Sequence, residues 1–292
     1  MSKQFNKGLI LTSLGSFWWG FIGVIYFEMV SFIGHIELVV HRCIWTAVML
    51  IFTSILFKKW NIFKTIVLNK KNLIYLFFSG LLIFINWAIW IYAVATNRII
   101  DASFGYFIMP ILSVLLGYIF FREKLNKKRF FSILLVFISI FFMIFFNLKS
   151  LPWVGIIVAL SWALYNAVRK KVNVDTDIGL LIESLYIFPF AIVALYLITI
   201  KGYNDFSINN PKLSLFLLLA GPMTVIPLFL YVRGVELIGL GATGMIFYIT
   251  PTLQFILGYF FYNEDFSMIK LVSFIIIWFA VIIYLKDLYE TN

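Results

Sequence analysis

The sequence has little charge, one cysteine and two histidines. Charged residues make up 12% of the 292 residues, Cys43 is the single cysteine, and the histidines are His35 and His41. One cysteine cannot form a disulfide within the chain, and two histidines offer no cluster of metal ligands. We therefore expect neither a metal site nor a cofactor, and we interpret Cys43 as an inert packing residue.

Catalytic motifs are missing as well. There is no GxxxxGK[ST] phosphate loop, which argues against an ATP-driven pump, and there is no HExxH or GxSxG motif. No nucleophile is paired with a base by its spacing. These absences predict a protein that is not an enzyme.

Hydrophobic residues are abundant instead. They account for 63% of the chain, and the mean hydropathy is +1.02. A soluble protein of this composition would expose large apolar patches, so the surplus must face lipid. A membrane-spanning helix needs roughly 20 mostly apolar residues, and continuous runs favour helices over the alternating strands of a β-barrel. We predict an all-α integral membrane protein with ten transmembrane helices, at residues 8–27, 36–57, 72–95, 101–121, 129–147, 151–168, 178–200, 212–232, 240–262 and 268–286.

The basic residues predict how these spans are oriented. Cytoplasmic loops of membrane proteins collect Lys and Arg. Of the 23 basic residues, 17 lie on the side of the N-terminus, five lie on the opposite side, and Arg42 falls inside the second span. We expect a multi-pass protein of the cell (inner) membrane with both termini in the cytoplasm. The net charge of +10 is spread over short loops, which indicates contact with the lipid bilayer and not with nucleic acid.

An internal repeat divides the chain into two halves. Residues 107–123 and 248–264 match at eight of seventeen positions with an offset of 141, including a Pro, a Gly, a Tyr and a final Glu. The fourth and ninth spans are therefore counterparts, and the repeating units are residues 1–147 and 148–292. Because each unit has an odd number of spans, the second must cross the membrane in the opposite sense. Inverted repeats of this kind are typical of secondary transporters, with the substrate site near the midplane.

Several motifs carry a family resemblance across the whole chain. They are ELVVHR (37–42) with Trp45, INW (85–87), ASFGYFIMP (102–110), VRKK (168–171), GLLIESL (179–185) and GMIFYITPTL (244–253). By these motifs the sequence resembles the EamA branch of the drug/metabolite transporter superfamily, and the RarD group within it. The resemblance implies ten helices in two inverted halves, cytoplasmic termini and transport of a small molecule. The label of the RarD group refers to chloramphenicol sensitivity, and related members export amino acids and metabolites.

Met109 departs from this family pattern. The pattern has Asn immediately before the proline, where this chain has Met109 followed by Pro110. The fourth span therefore lacks a polar group that the resemblance would assign to substrate contact.

Arg42 is the most unusual residue of the second span. Burying an Arg near the centre of a spanning helix costs roughly 2.5–3.5 kcal/mol on insertion scales. Glu37, His41 and Trp45 are spaced four residues apart and share one helix face, with Arg42 about 100° round from His41. Two interpretations stay open. His41 and Arg42 line an aqueous cavity, or Arg42 extends to the outer interface and Glu37 is an interfacial acid.

Glu183 is the corresponding charged residue within the seventh span. It stands 141 residues after Arg42 and is therefore its repeat counterpart. Inverted topology puts counterparts at mirrored depths, so we expect one charged group towards each mouth of the cavity and no direct pair. A buried Glu183 would be suited to carry a proton. The alternatives are a local pair with Arg169 or Lys170, or contact with cytoplasmic water.

Weaker candidates for the substrate cavity are polar and aromatic residues within the spans. Each aromatic residue has the alternative of an interfacial anchor or of packing. The proline of each half is predicted to kink its helix, either as tolerated packing or as a hinge. Glu123 and Glu264, at the ends of equivalent helices, are expected to be solvated. The remaining candidates are Asn86, Trp90, Tyr106, Trp162, Tyr165, Tyr248 and Gln254 for the cavity and Pro110 and Pro251 for the kinks.

The function predicted is secondary active transport. The chain would move a small metabolite, an amino acid or a drug-like solute by alternating access. Two alternatives stay open: an intramembrane enzyme acting on lipid-linked substrates, and a non-transporting accessory protein. The small-molecule substrate follows from the transporter prediction, whereas the coupling proton and a homodimer are open.

Overall fold

The computed structural model describes residues 3–30, 32–96, 99–147, 153–172, 174–261 and 268–291. Within these ranges the regular elements are all helical. They are α1 (Lys3–Phe17), a π-helical segment (Trp18–Ile22), α2 (Gly23–Met29), α3 (His35–Leu56), α4 (Trp60–Val67), α5 (Lys70–Ala95), α6 (Ile99–Phe121), α7 (Lys127–Asn147), α8 (Trp153–Lys171), α9 (Thr176–Ile200), α10 (Pro211–Ile246), α11 (Ile249–Phe261) and α12 (Met268–Thr291).

Eight stretches of the described chain are long and apolar enough to cross a membrane. This confirms the prediction of an all-helical membrane protein. Three of the ten predicted spans have a different form. The eighth and ninth predicted spans form one apolar stretch, Pro211–Phe260, and the sixth corresponds to α8, which ends in three basic residues. The predicted loop between α3 and α5 also contains a short amphipathic helix, α4.

Three local breaks interrupt two of the long helical stretches, Lys3–Met29 and Pro211–Phe260. The segment Trp18–Ile22 is π-helical, a form that is often found at functional sites. Gly239 has φ 88° and ψ 171°, which only glycine adopts easily, and it divides α10. Between α10 and α11 the chain turns just before Pro251, which lies in the first helical turn, where its missing N–H is tolerated. Pro110 lies inside α6, which continues beyond it. A hinge at either proline stays a prediction.

Close helix packing creates the interior. Helix α3 packs against α9 and α10, whereas α5 packs against α8 and α9. At the contact between α3 and α10, a Cβ on Gly221 would lie 2.5 Å from the carbonyl oxygen of Trp45, so only glycine permits the approach. The outer faces are apolar, and Phe141, Phe142 and Phe145 of α7 are all exposed, as expected for contact with lipid.

Ion pairs connect helix ends that the charge pattern assigned to one side. Lys59, between α3 and α4, lies 2.7 Å from Asp177 of α9 and 3.6 Å from Asp175. Partial burial lowers the pKa of Lys59, but the hydrogen bond and charge of Asp177, together with Asp175, outweigh it and raise the pKa overall. Arg129 at the start of α7 pairs with Asp287 of α12 at 2.7 Å. These pairs join segments that lie 118 and 158 positions apart in the sequence.

Candidate substrate cavity

Arg42 points towards neighbouring helices. Its Nε donates a hydrogen bond of 2.8 Å to the hydroxyl of Thr224 on α10. Its guanidinium carbon lies 4.5 Å from the ring centroid of Trp87 on α5 and 5.9 Å from that of Phe27. Among the residues that the structure describes, no carboxylate forms an ion pair with Arg42. Its charge is therefore held by a hydroxyl and aromatic faces alone.

His41 and Trp45 take part in a different arrangement from Arg42. Trp45 Nε1 donates to His41 Nδ1 at 3.2 Å, and the His41 ring lies 5.1 Å from the ring of Phe206 in the loop between α9 and α10. His41 Nε2 lies 3.6 Å from Glu37 Oε1, and that oxygen accepts the backbone N–H of Asp205 at 2.7 Å and of Phe206 at 3.3 Å. Glu37, His41 and Trp45 do share one helix face, as predicted. Their described contacts hold the loop between α9 and α10 against one end of the bundle.

Removing the Glu37 carboxylate should release this loop. In a Glu37→Ala variant we expect the amide hydrogens of Asp205 and Phe206 to exchange at least about ten-fold faster, because hydrogen bonds to a charged group contribute roughly 1.5–3 kcal/mol each. Hydrogen exchange with mass spectrometry measures this. The control is Glu28→Ala, which removes an exposed acid near the end of α2. Equal exchange rates in the two variants would contradict the fastening role.

Glu183 lies in a buried polar cluster. Its Oε1 accepts a hydrogen bond of 2.5 Å from Ser79 of α5, and its Oε2 accepts one of 3.2 Å from Tyr165 of α8. Arg169 Nε lies 3.4 Å from Oε1, and both side chains are at most 3% exposed. The guanidinium of Arg169 covers Gly179, where a Cβ would overlap it. Of the alternatives for Glu183, the structure has the local pair with Arg169 and no ion pair with Arg42.

A small cavity lies between the surroundings of Arg42 and those of Glu183. It has room for about one water molecule. Trp87, which stacks on Arg42, and Glu183 both line it. The remaining lining residues are mostly apolar: Thr46, Leu50, Ile83, Leu180, Ser184, Ile187, Val225 and Leu228.

A chain of aromatic rings extends through the bundle beside this cavity. Neighbouring ring centroids are 5.1 to 5.9 Å apart in the pairs that join the chain, which is the range of favourable aromatic packing. The Nε1 of Trp162 is buried and has no hydrogen-bond partner among the described residues. The rings belong, in order of contact, to Trp90, Tyr106, Phe247, Tyr231, Trp162 and then Trp19 and Tyr165.

Other predicted residues have structural partners. Asn86 Nδ2 donates to the carbonyl of Val158 at 2.9 Å and to Ser161 Oγ at 3.0 Å, which links α5 to α8. Tyr248 is fully buried, and its hydroxyl donates to the carbonyl of Phe107 at 2.8 Å. Gln254 is half-buried on α11.

Glu123 is not solvated as expected. Its carboxylate accepts the backbone N–H of Leu240 at 2.8 Å and of Gly241 at 2.9 Å, and it pairs with Lys170 at the end of α8. These N–H groups begin the helical segment that follows the break at Gly239, so Glu123 caps it from another helix. The expectation was wrong because a cap from a distant segment leaves no local pattern. Glu264 lies outside the described residues.

Sequence reasoning missed the neutral partners of these charges. Thr224 binds Arg42, Ser79 binds Glu183 and Tyr231 joins the aromatic chain, yet none of the three differs in type from ordinary helix residues. The offset of 141 contained a usable signal, because it maps α3 onto α9, and the neighbours of one helix could have been sought at the counterparts of the other helix's neighbours.

Among the described residues there is no group of three His, Cys, Asp or Glu side chains that could hold a metal.

Comparison with known proteins identifies the family. The sequence model of the EamA-like transporter family matches residues 6–145 and 150–286. The chain belongs to the EamA-like transporter family. The resemblance to the EamA branch and to RarD is thereby confirmed.

Similar EamA-like proteins cover nearly the whole chain. Protein RarD of Escherichia coli (strain K12) is 31% identical over 291 residues, which are 100% of this chain and 98% of RarD. An uncharacterized transporter of Vibrio cholerae is 33% identical over 283 residues, 97% of this chain and 93% of its own. A crystal structure with 11% sequence identity has a TM-score of 0.73 and covers 96% of this chain and 97% of its own, which shows a shared fold.

Proposed function

We propose that this EamA-like protein is a secondary carrier that moves a small molecule across the cell membrane by alternating access. Homologues from Vibrio cholerae and Bacillus subtilis are named uncharacterized transporters. The carrier has ten spans in two inverted halves, residues 1–147 and 148–292, with both termini in the cytoplasm.

Contacts between counterpart residues support the inverted halves. Phe107 and Tyr248 correspond in the sequence repeat, and the hydroxyl of Tyr248 binds the carbonyl of Phe107. Counterparts touch in this way where a two-fold axis passes between them. The family also matches two stretches, 6–145 and 150–286, which meet near the proposed boundary.

Two charged residues within the spans carry the proposal, of which Glu183 is buried and Arg42 is half-buried. Arg42 of α3 bonds to a hydroxyl on α10, and its counterpart Glu183 of α9 bonds to a hydroxyl on α5. These are equivalent helix pairs under the inverted repeat, and the cavity lies between them. Charged groups within membrane spans are costly and mark solute pathways or proton relays.

Glu183 is our candidate for carrying a coupling proton. Its carboxylate is 2% exposed, lines the cavity and accepts hydrogen bonds from Ser79 and Tyr165. Protonation would weaken its attraction to Arg169 and loosen the contact between α8 and α9. Proton binding at Glu183 would thus favour a different arrangement of these helices.

The test is flux into proteoliposomes. Purified wild-type protein is given a panel of labelled amino acids, small drugs and other metabolites, with and without a pH gradient, while a trapped dye reports internal pH. We expect saturable flux of one solute class, stimulated by the gradient and accompanied by proton movement. Saturable flux without proton movement would keep the carrier and remove the proton role of Glu183. No saturable flux of any solute, from protein shown to be folded, would contradict the carrier.

A further inference from the structure

We propose that Arg42 binds the carboxylate of the transported solute, so that the substrate is an organic monoanion with an apolar body. This inference rests on the proposed carrier function. It concerns the chemical class of the solute, which the family match does not give.

The charges around the cavity leave one cation unbalanced. Glu183 is matched by Arg169 at 3.4 Å. Arg42 has no ion-pair partner among the residues that the structure describes. The group of Arg42, Arg169 and ionised Glu183 therefore has a net positive charge, and an anion that entered the cavity would balance it.

The guanidinium of Arg42 has a free edge. Its Nε is used by Thr224, and one ring face of Trp87 covers it. No described residue accepts a hydrogen bond from its two Nη atoms. Because the N–H groups of these atoms form a planar fork that matches a carboxylate, two parallel hydrogen bonds to one carboxylate are possible.

The direction of Arg42 argues against a lipid headgroup as its partner. Thr224 on α10 and Trp87 on α5 hold the guanidinium among the helices. A side chain that extends along its own helix to reach the membrane surface would have no such contacts on two other helices. A single unbalanced Arg also suits a monoanion better than a phosphate dianion.

The cavity that adjoins Arg42 through Trp87 selects an apolar body. The cavity begins at Trp87 and includes Leu50, Ile83, Ile187 and Leu228. It has room for about one water molecule, so the proposal requires these walls to separate when a solute enters. A cation is disfavoured because the guanidinium of Arg42 already lies over the Trp87 ring.

The test compares acids with their neutral amides. Full-length protein in proteoliposomes and in detergent is given phenylacetate, phenylacetamide, 4-methylpentanoate and 4-methylpentanamide, and both counterflow and thermal stabilisation are measured. We expect each acid to be favoured over its amide at least ten-fold in wild type. Arg42→Gln should remove this preference, Arg42→Lys should retain part of it, and the exposed-site control Arg122→Gln should leave it unchanged.

The outcomes separate this inference from the carrier function. Saturable flux in which amides equal acids, or an unchanged preference in Arg42→Gln, would overturn the carboxylate site while keeping the carrier. Stabilisation by acids in wild type but not in Arg42→Gln supports the site even without flux. The inference would be overturned if no acid gave either flux or thermal stabilisation. It would also be overturned if an anionic phospholipid co-purified with wild type but not with Arg42→Gln.

Discussion

Replacing Glu183 with glutamine should lower the free energy of unfolding by about 3–5 kcal/mol, because removing one partner of a buried ion pair leaves the other charge uncompensated. Arg169, the partner, is 1% exposed, and two of its nitrogen atoms already lack hydrogen-bond acceptors in the part of the chain that the structure describes. An Arg cannot lose its proton to escape this cost. Unfolding by a denaturing detergent in mixed micelles measures the difference.

Two further variants make this prediction specific. The double variant Glu183→Gln with Arg169→Met removes the stranded charge, and we expect it to recover at least half of the lost stability. The matched control is Glu290→Gln, which breaks the exposed pair with Lys128 and should cost about 0–1 kcal/mol. A loss in Glu183→Gln no larger than in Glu290→Gln would show that the buried pair contributes little.

Replacing Glu123 with alanine should increase the solvent exposure of the backbone at Leu240 and Gly241, next to the break at Gly239. The variant loses the pair with Lys170 and two hydrogen bonds to backbone N–H groups, each contributing roughly 1.5–3 kcal/mol as a charge-assisted bond. We expect a cysteine placed at Leu240 to react at least about ten-fold faster with a maleimide in the Glu123→Ala background.

The chain suits this labelling experiment. Its one native cysteine, Cys43, is 4% exposed and gives little background. Lys124→Ala is the matched control, since it removes an exposed charge from the adjacent position of the same loop. Equal labelling rates in the Glu123→Ala and Lys124→Ala backgrounds would mean that the carboxylate does not hold the break closed.

The sequence predicted well what depends on local spacing and on total composition. Apolar runs located the helices, and the i, i+4 spacing predicted that Glu37 and His41 meet, which they do at 3.6 Å. It could not predict that Glu37 binds the backbone of Asp205, because that contact joins residues 168 positions apart. Such contacts depend on which helices are neighbours, and the apolar pattern leaves this open.

The direction of Arg42 was open for the same reason. Both an interfacial and an inward position satisfy the pattern of α3, and the choice depends on Thr224 and Trp87 on other helices. Breaks in helices were partly visible: Pro251 marked one, whereas Gly239 is one of 17 glycines and nothing in its neighbours distinguishes it. Its role depends on the distant cap from Glu123.

The opposite charges at the counterpart positions 42 and 183 bear on the evolution of the chain. With the inverted halves proposed here, the simplest ancestor is a half-sized protein that formed dimers with its two copies inserted in opposite orientations. With the halves related as proposed, a dimer of first halves would bring two guanidiniums, Arg42 and its copy, to the cavity. A dimer of second halves would bring two carboxylates from Glu183. Each Glu183 would keep its own Arg169, so only the dimer of first halves would have unbalanced charges. A fused chain, in which Arg42 occurs once, avoids bringing two unpaired guanidiniums to one cavity.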